Sequence, residues 1–203
     1  KGFYMFGICK YIKDNYNLDN FSFYGASAGS WNAFFLSEKK QNDKLYNYLT
    51  NLNINGFKNM YEIELLLKEY ILNNYNEEDL NLNNLNLCVT IIKGCSVKRK
   101  IFSNFLSLED TLECCLASSH IPYITNRTPL YTYRNYNCID GGLFKDPHNK
   151  LVKPNLIIYP GMWDNQKINE FTDINNLDIS NLIFQGYKDA YLHREELNEK
   201  LFL

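Results

Sequence analysis

The sequence predicts an α/β fold built on a mainly parallel sheet. Two observations carry that expectation. Short β-prone runs alternate with amphipathic helical segments along the chain. One of these runs ends on a glycine turn that opens directly into a helix, in FYGASAGSWNAFF at positions 23–35. With 203 residues, 45% of them apolar and 22% charged, the chain suits one domain with a sizeable core.

Residues 3–16 read as a helix, with Phe3, Phe6, Ile8, Cys9 and Ile12 as its apolar stripe. Phe21 to Tyr24 is a short strand that runs into Gly25, and Ala28 to Glu38 is helical again. In that helix Trp31, Phe34 and Phe35 are expected to serve the core. Helices are also expected near 43–51 and 60–73. Glu77-Glu78-Asp79 reads as a solvated acidic turn. The Asn/Leu-rich stretch 80–87 reads as a surface connection into a strand at 87–92, followed by a second strand at 95–102. Ser107 has the character of a helix cap, with Glu109 and Asp110 in the first turn, and that helix should stop before Pro122. Tyr131 to Ile139 reads as a strand ending on Asp140-Gly141-Gly142. Leu156 to Tyr159 is expected to be a short buried strand, and 178–201 a long terminal helix.

Composition narrows the partners. A formal charge of -2, with no basic stripe interleaved with aromatics, points away from nucleic acid. No apolar run is long enough to span a bilayer, and no signal peptide is visible. The six cysteines match neither a disulfide framework nor a zinc site, which favours a reducing, intracellular compartment. Lys98-Arg99-Lys100 could attract anionic headgroups, although a solvated charge cluster on an edge strand is the commoner meaning. No metal or cofactor is expected.

The chemistry centres on Gly25-Ala26-Ser27-Ala28-Gly29. Small residues permit a tight strand-to-helix turn that lifts a serine hydroxyl clear of the sheet. The helix that follows offers backbone N–H groups and a positive dipole end to a developing negative charge. A close-packing turn and a phosphate loop are the alternatives, but no Lys follows Gly29 as a phosphate loop would require. A serine nucleophile needs a base. Asp140, at a strand end and followed by two glycines, is the strongest candidate, against the bland reading of a common Asp-Gly turn. His148 and His193 follow Asp140 in the order of an α/β-hydrolase triad, yet both lie in polar surroundings. His120 sits before a proline junction and reads as structural.

Gly25-Ala26-Ser27-Ala28-Gly29 and Asp140-Gly141-Gly142, in this order, resemble the patatin-like phospholipase family, and its adiponutrin-like branch in particular. Ala117-Ser118-Ser119-His120-Ile121-Pro122 is similar to the segment that precedes the Asp strand in that family. Lys1-Gly2-Phe3 is similar to the end of its Gly-rich oxyanion loop. The resemblance implies a three-layer α/β fold with helices on both faces of the sheet and a single domain over 1–203. On this reading the first strand and most of the oxyanion loop lie before Lys1. It also implies a lipid acyl hydrolase with Ser27 as nucleophile and Asp140 as base. Gly25, Ala28, Gly29, Lys1 and Gly2 would form the elbow and oxyanion site, and Gly141 and Gly142 the turn behind the base. The partners implied are a lipid ester substrate and a peripheral membrane or lipid-droplet surface met from the cytoplasm. A catalytically weak lipid- or partner-binding protein of the same fold is the alternative. The family's Asn-x-Pro after the Asp-Gly-Gly is here Lys145-Asp146-Pro147.

Overall fold

The computed structural model describes residues 1–39, 43–143, 153–163 and 177–202. Among these, seven α-helices and five strands follow one another. They are α1 (Gly2–Asn15), β1 (Phe23–Ala26), α2 (Ala28–Leu36), α3 (Lys44–Thr50), α4 (Met60–Asn74), β2 (Leu85–Lys93), β3 (Ser96–Phe102), α5 (Leu108–Ser119), β4 (Tyr131–Tyr133), β5 (Tyr136–Ile139), α6 (Ile179–Leu192) and α7 (Arg194–Leu201). The chain divides into two compact units. One comprises Lys1–Asn20, Gln41–Asn53 and Lys145–Leu203, the other Phe21–Lys40 and Ile54–Phe144.

The first unit is helical. α1 and α6 pack backbone to backbone because each contributes a glycine at the crossing. A Cβ on Gly7 would lie 2.0 Å from the Ile183 carbonyl oxygen, and one on Gly186 would lie 1.9 Å from that of Tyr4. The Tyr4 hydroxyl completes the crossing by donating to Asp189 Oδ2 at 2.7 Å. The single terminal helix expected over 178–201 is two helices that break at His193. There the imidazole Nδ1 pairs with the Asp189 carbonyl at 2.8 Å, and the ring stacks on Trp163 with centroids 4.6 Å apart. His193 is therefore half-buried against an aromatic rather than one charge among several. Leu156 to Tyr159 is not a strand. It pairs with no ladder among the described residues, and Ile157 is 54% exposed.

The second unit holds the sheet. The α/β class is as expected, and the sheet is mixed: β1 runs parallel to β2, while β3 and β5 run antiparallel to it and β4 antiparallel to β5. The stretch expected as one strand over 131–139 is a hairpin. Arg134 and Asn135 both adopt positive φ, 44° and 63°, which is the backbone demanded by a two-residue turn between right-twisted strands. The acidic turn Glu77–Asp79 is a short 3-10 turn, and the Asn/Leu-rich stretch holds another at Leu82–Asn84; rather than running over the surface, the stretch puts Leu80, Leu85 and Leu87 in the core. Ser107 caps α5 as expected, its hydroxyl accepting the Asp110 N–H at 3.1 Å.

The register on β2 decides where the chemistry can sit. β1 pairs with Leu85 to Cys88 and β5 with Thr90 to Ile92. β3 pairs with Leu87 to Lys93 and so occupies the opposite edge. β1 and β5 must therefore share one edge of β2, end to end. Their last residues, Ala26 opposite Cys88 and Ile139 opposite Thr90, approach each other from opposite directions beside Val89. The residues that follow those two strand ends are Ser27 and Asp140.

Candidate active site

Ser27 occupies the turn between β1 and α2 with φ 56° and ψ -137°. A non-glycine residue in this conformation costs on the order of 1–3 kcal/mol and persists only where the surroundings over-determine it. Three contacts do so. The Ser27 N–H donates to Ser118 Oγ at 3.0 Å. Its carbonyl accepts the Ser30 N–H at 2.9 Å and the Ser30 hydroxyl at 2.7 Å. Gly25 is obligatory because a Cβ there would meet the Gly29 oxygen at 2.5 Å and the Ser30 Cα at 2.7 Å. Ala28 and Gly29 open α2, so their amides have no acceptor one turn back within the helix. A methyl added at Gly29 would meet nothing within 4 Å.

Asp140 is 2% exposed. Its backbone is tied at both ends: its N–H donates to the His120 carbonyl at 2.7 Å, and its carbonyl accepts the Thr90 hydroxyl at 2.9 Å. Oδ1 accepts the Gly142 N–H at 2.6 Å. Oδ2 is buried and meets no donor of full hydrogen-bonding geometry among the described residues. A Cβ built on Gly142 would lie 3.1 Å from Asp140 Oδ1 and 3.3 Å from Ser27 Cβ, so serine and carboxylate flank one point. Burial raises the Asp140 pKa above its ordinary value. Bonds from the Ser27 side chain and the Gly142 N–H, the charge of Arg99 and the Leu143 N–H draw it part of the way back. Such a carboxylate is a better proton acceptor than an exposed one.

The end of α5 holds the two halves together. Ser118 is fully buried. Its hydroxyl accepts from Ser27 N and donates to the Cys88 carbonyl at 2.7 Å, while its own carbonyl accepts the Gly141 N–H at 2.8 Å. Gly141 admits no side chain, since a Cβ would sit 2.0 Å from the Cys88 oxygen. Arg99 grips the same turn, donating from Nε to the Gly141 carbonyl at 3.0 Å and from Nη2 as well. The expectation that Lys98-Arg99-Lys100 is a solvated cluster holds for the two exposed lysines but not for Arg99. Side chains alternate along a strand, and the middle one turns to the site. Sequence reasoning passed over Ser118, Arg99 and Glu64. The visible signals were a serine pair at a helix end, a cation at the alternate strand position, and an acid inside the apolar stripe of α4.

Lys1 and Gly2 lie at the start of α1 in the helical unit, where Lys1 is the residue before the first turn. His120 is buried, and that burial holds its imidazole toward the neutral form. His148 and Lys145-Asp146-Pro147 lie outside the described residues. Among the described residues no group of three or more His, Cys, Asp or Glu side chains is placed to hold a metal ion. No helix among them is long and apolar enough to cross a membrane.

A serine raised on a strained turn where a strand of an α/β sheet meets its helix is the architecture of an acyl-transfer fold. The model of one family, described as patatin-like phospholipase, matches residues 1–149. The chain belongs to the patatin-like phospholipases. Lipid acyl hydrolysis is the activity that this membership implies. Among curated proteins none matches the chain.

Proposed function

We propose that this chain hydrolyses fatty-acyl esters of lipids through a serine–aspartate dyad, with Ser27 as nucleophile and Asp140 as its base. The observation that carries the reading is the meeting of two strand ends on one edge of β2. It sets a strained serine and a buried carboxylate on either side of the Gly142 backbone. As the Ser27 oxygen forms its bond to the ester carbonyl, Asp140 takes the hydroxyl proton. The oxyanion is met by backbone N–H groups at the start of α2. Collapse of the tetrahedral intermediate breaks the ester C–O bond, and the leaving alkoxide takes the proton from Asp140. Water then attacks the acyl-enzyme with Asp140 again as base, releasing the fatty acid and restoring the serine.

The substrate arrives from an aggregate, and the proposed docking partner is a membrane or droplet surface. Tyr123, 70% exposed, and Ile124, 59% exposed, lie in the loop that begins where His120 anchors Asp140. None of the six cysteines is joined to another in a disulfide, and Cys95 is exposed, which suits the cytoplasmic side of such a surface. The test is labelling by a fluorophosphonate together with turnover of a monomeric ester. Ser27→Ala is expected to remove both, and Asp140→Asn to remove nearly all turnover, because an amide cannot accept the serine proton. His120→Ala, His148→Ala and His193→Ala should each cost less than about tenfold, below the ~10²–10⁴ of a general base. A histidine variant as damaging as Asp140→Asn would replace the dyad with a triad.

A further inference from the structure

Glu64 is a buried acid that the dyad does not use. It lies on α4 between Ile63 and Leu67, both core residues, and is itself 8% exposed. Its Oε1 accepts the indole N–H of Trp31 at 3.2 Å, and the Ser119 hydroxyl bonds to the same carboxyl. Its Oε2 is buried and has no hydrogen-bond partner among the described residues. These neighbours are telling ones. Trp31 stands in the first turn and a half of α2, the helix that Ser27 opens. Ser119 lies between Ser118, which holds the Ser27 N–H, and His120, whose carbonyl holds the Asp140 N–H.

We propose that Glu64 is a positioning residue of the acyl-transfer site, clamping the helix behind the nucleophile to the segment that anchors the base, and that its charge state sets the upper pH limit of activity. The proposal rests on the dyad reading above. The hydrogen bonds support it: the Ser119 hydroxyl joins Glu64 to the end of α5 and also reaches the Cys115 carbonyl at 2.9 Å. A carboxylic acid O–H on Glu64 can donate to the Ser119 oxygen while the Ser119 proton stays on the Cys115 carbonyl, whereas a carboxylate keeps the link only by drawing that proton away from Cys115.

Burial pushes the Glu64 pKa up to about 8. The bonds from Ser119 and Trp31 lower it and the charge of Asp140 raises it again. The titratable groups that share its field are Asp140 at the end of β5, Cys115 on α5 and Tyr61 on α4. The nearest cation along α4, Lys68, is engaged by Glu109 and Glu113 at 3.3 and 2.5 Å. Ionised Glu64 would therefore add an uncompensated negative charge close to Asp140, and the developing oxyanion would feel it.

The experiment is the pH profile of kcat and KM for p-nitrophenyl butyrate, between pH 5 and 10, with Ser27→Ala run beside every variant. Wild type is expected to lose activity about tenfold as pH rises through about 8. Glu64→Ala should lower kcat about tenfold at pH 7 while barely moving KM. Glu64→Gln keeps an acceptor for Trp31 and cannot ionise, so it should recover most of that loss and lack the alkaline fall. Trp31→Phe, which removes a bond that favours the charged form, should shift the fall to higher pH. Superimposable profiles of wild type and Glu64→Gln would overturn the proposal and leave the dyad standing. Turnover that survives in Ser27→Ala would overturn both.

Discussion

Replacing Ser118 by alanine removes one oxygen and with it two bonds: acceptance of the Ser27 N–H at 3.0 Å and donation to the Cys88 carbonyl at 2.7 Å. Each such bond contributes about 1 kcal/mol net, and a buried partner left unmatched costs about 1–3 kcal/mol. Ser118 is fully enclosed, so the Cys88 carbonyl loses this bond without gaining water. Ser27 is half-buried, so its N–H can recover part of the loss. The expected sum is about 2–3 kcal/mol of stability. The consequence for chemistry should be larger in proportion, because Ser27 holds a strained backbone only while its neighbours insist on it. Relaxation by about 1 Å would slow acylation on the order of 100-fold. Equilibrium urea unfolding followed by circular dichroism reads the first quantity, and the rate of fluorophosphonate labelling reads the second. A loss below about 0.5 kcal/mol with labelling within twofold of wild type would show that the end of α5 merely packs against the elbow, and the positioning argument would be wrong.

The two glycine motifs should respond unequally. Gly141→Ala drives a methyl to 2.0 Å from the Cys88 backbone oxygen; it should cost about 3 kcal/mol and abolish labelling. Gly29→Ala meets nothing within 4 Å, so urea unfolding should find it unchanged or slightly more stable, since alanine is the better helix former. In the proposed dyad Asp140 must be ionised to accept a proton, so activity is expected to fall as pH drops through its raised folded-state pKa. The acid limb of kcat/KM should lie above the ordinary carboxylate value of about 4. Arg99→Gln removes a charge that lowers that pKa and should move the limb to higher pH, whereas an unmoved limb would remove Arg99 from the site. Chelator should leave turnover of a monomeric ester unchanged, and loss of that turnover would point to a metal-dependent step.

Local chemistry was legible wherever neighbours in sequence decide it. The elbow could be read because its constraints are short-range: a β-prone run, residues small enough for the turn, then a helical pattern. The Ser107 cap and the paired glycines after Asp140 were legible for the same reason. The hairpin at Arg134-Asn135 was not, because nothing in that dipeptide announces two left-handed residues as Asn-Gly would. Leu156 to Tyr159 misled in the opposite direction, since an apolar run is a strand only where a partner edge exists. Arg99 read as one cation of a surface cluster and Glu64 drew no reading at all, because burial is a property of what packs on a residue. The sequence by itself determined which side chains could carry acyl transfer. Only tertiary pairing decided that they meet, because β1 and β5 occupy one edge of β2 from opposite directions and bring positions 27 and 140 together.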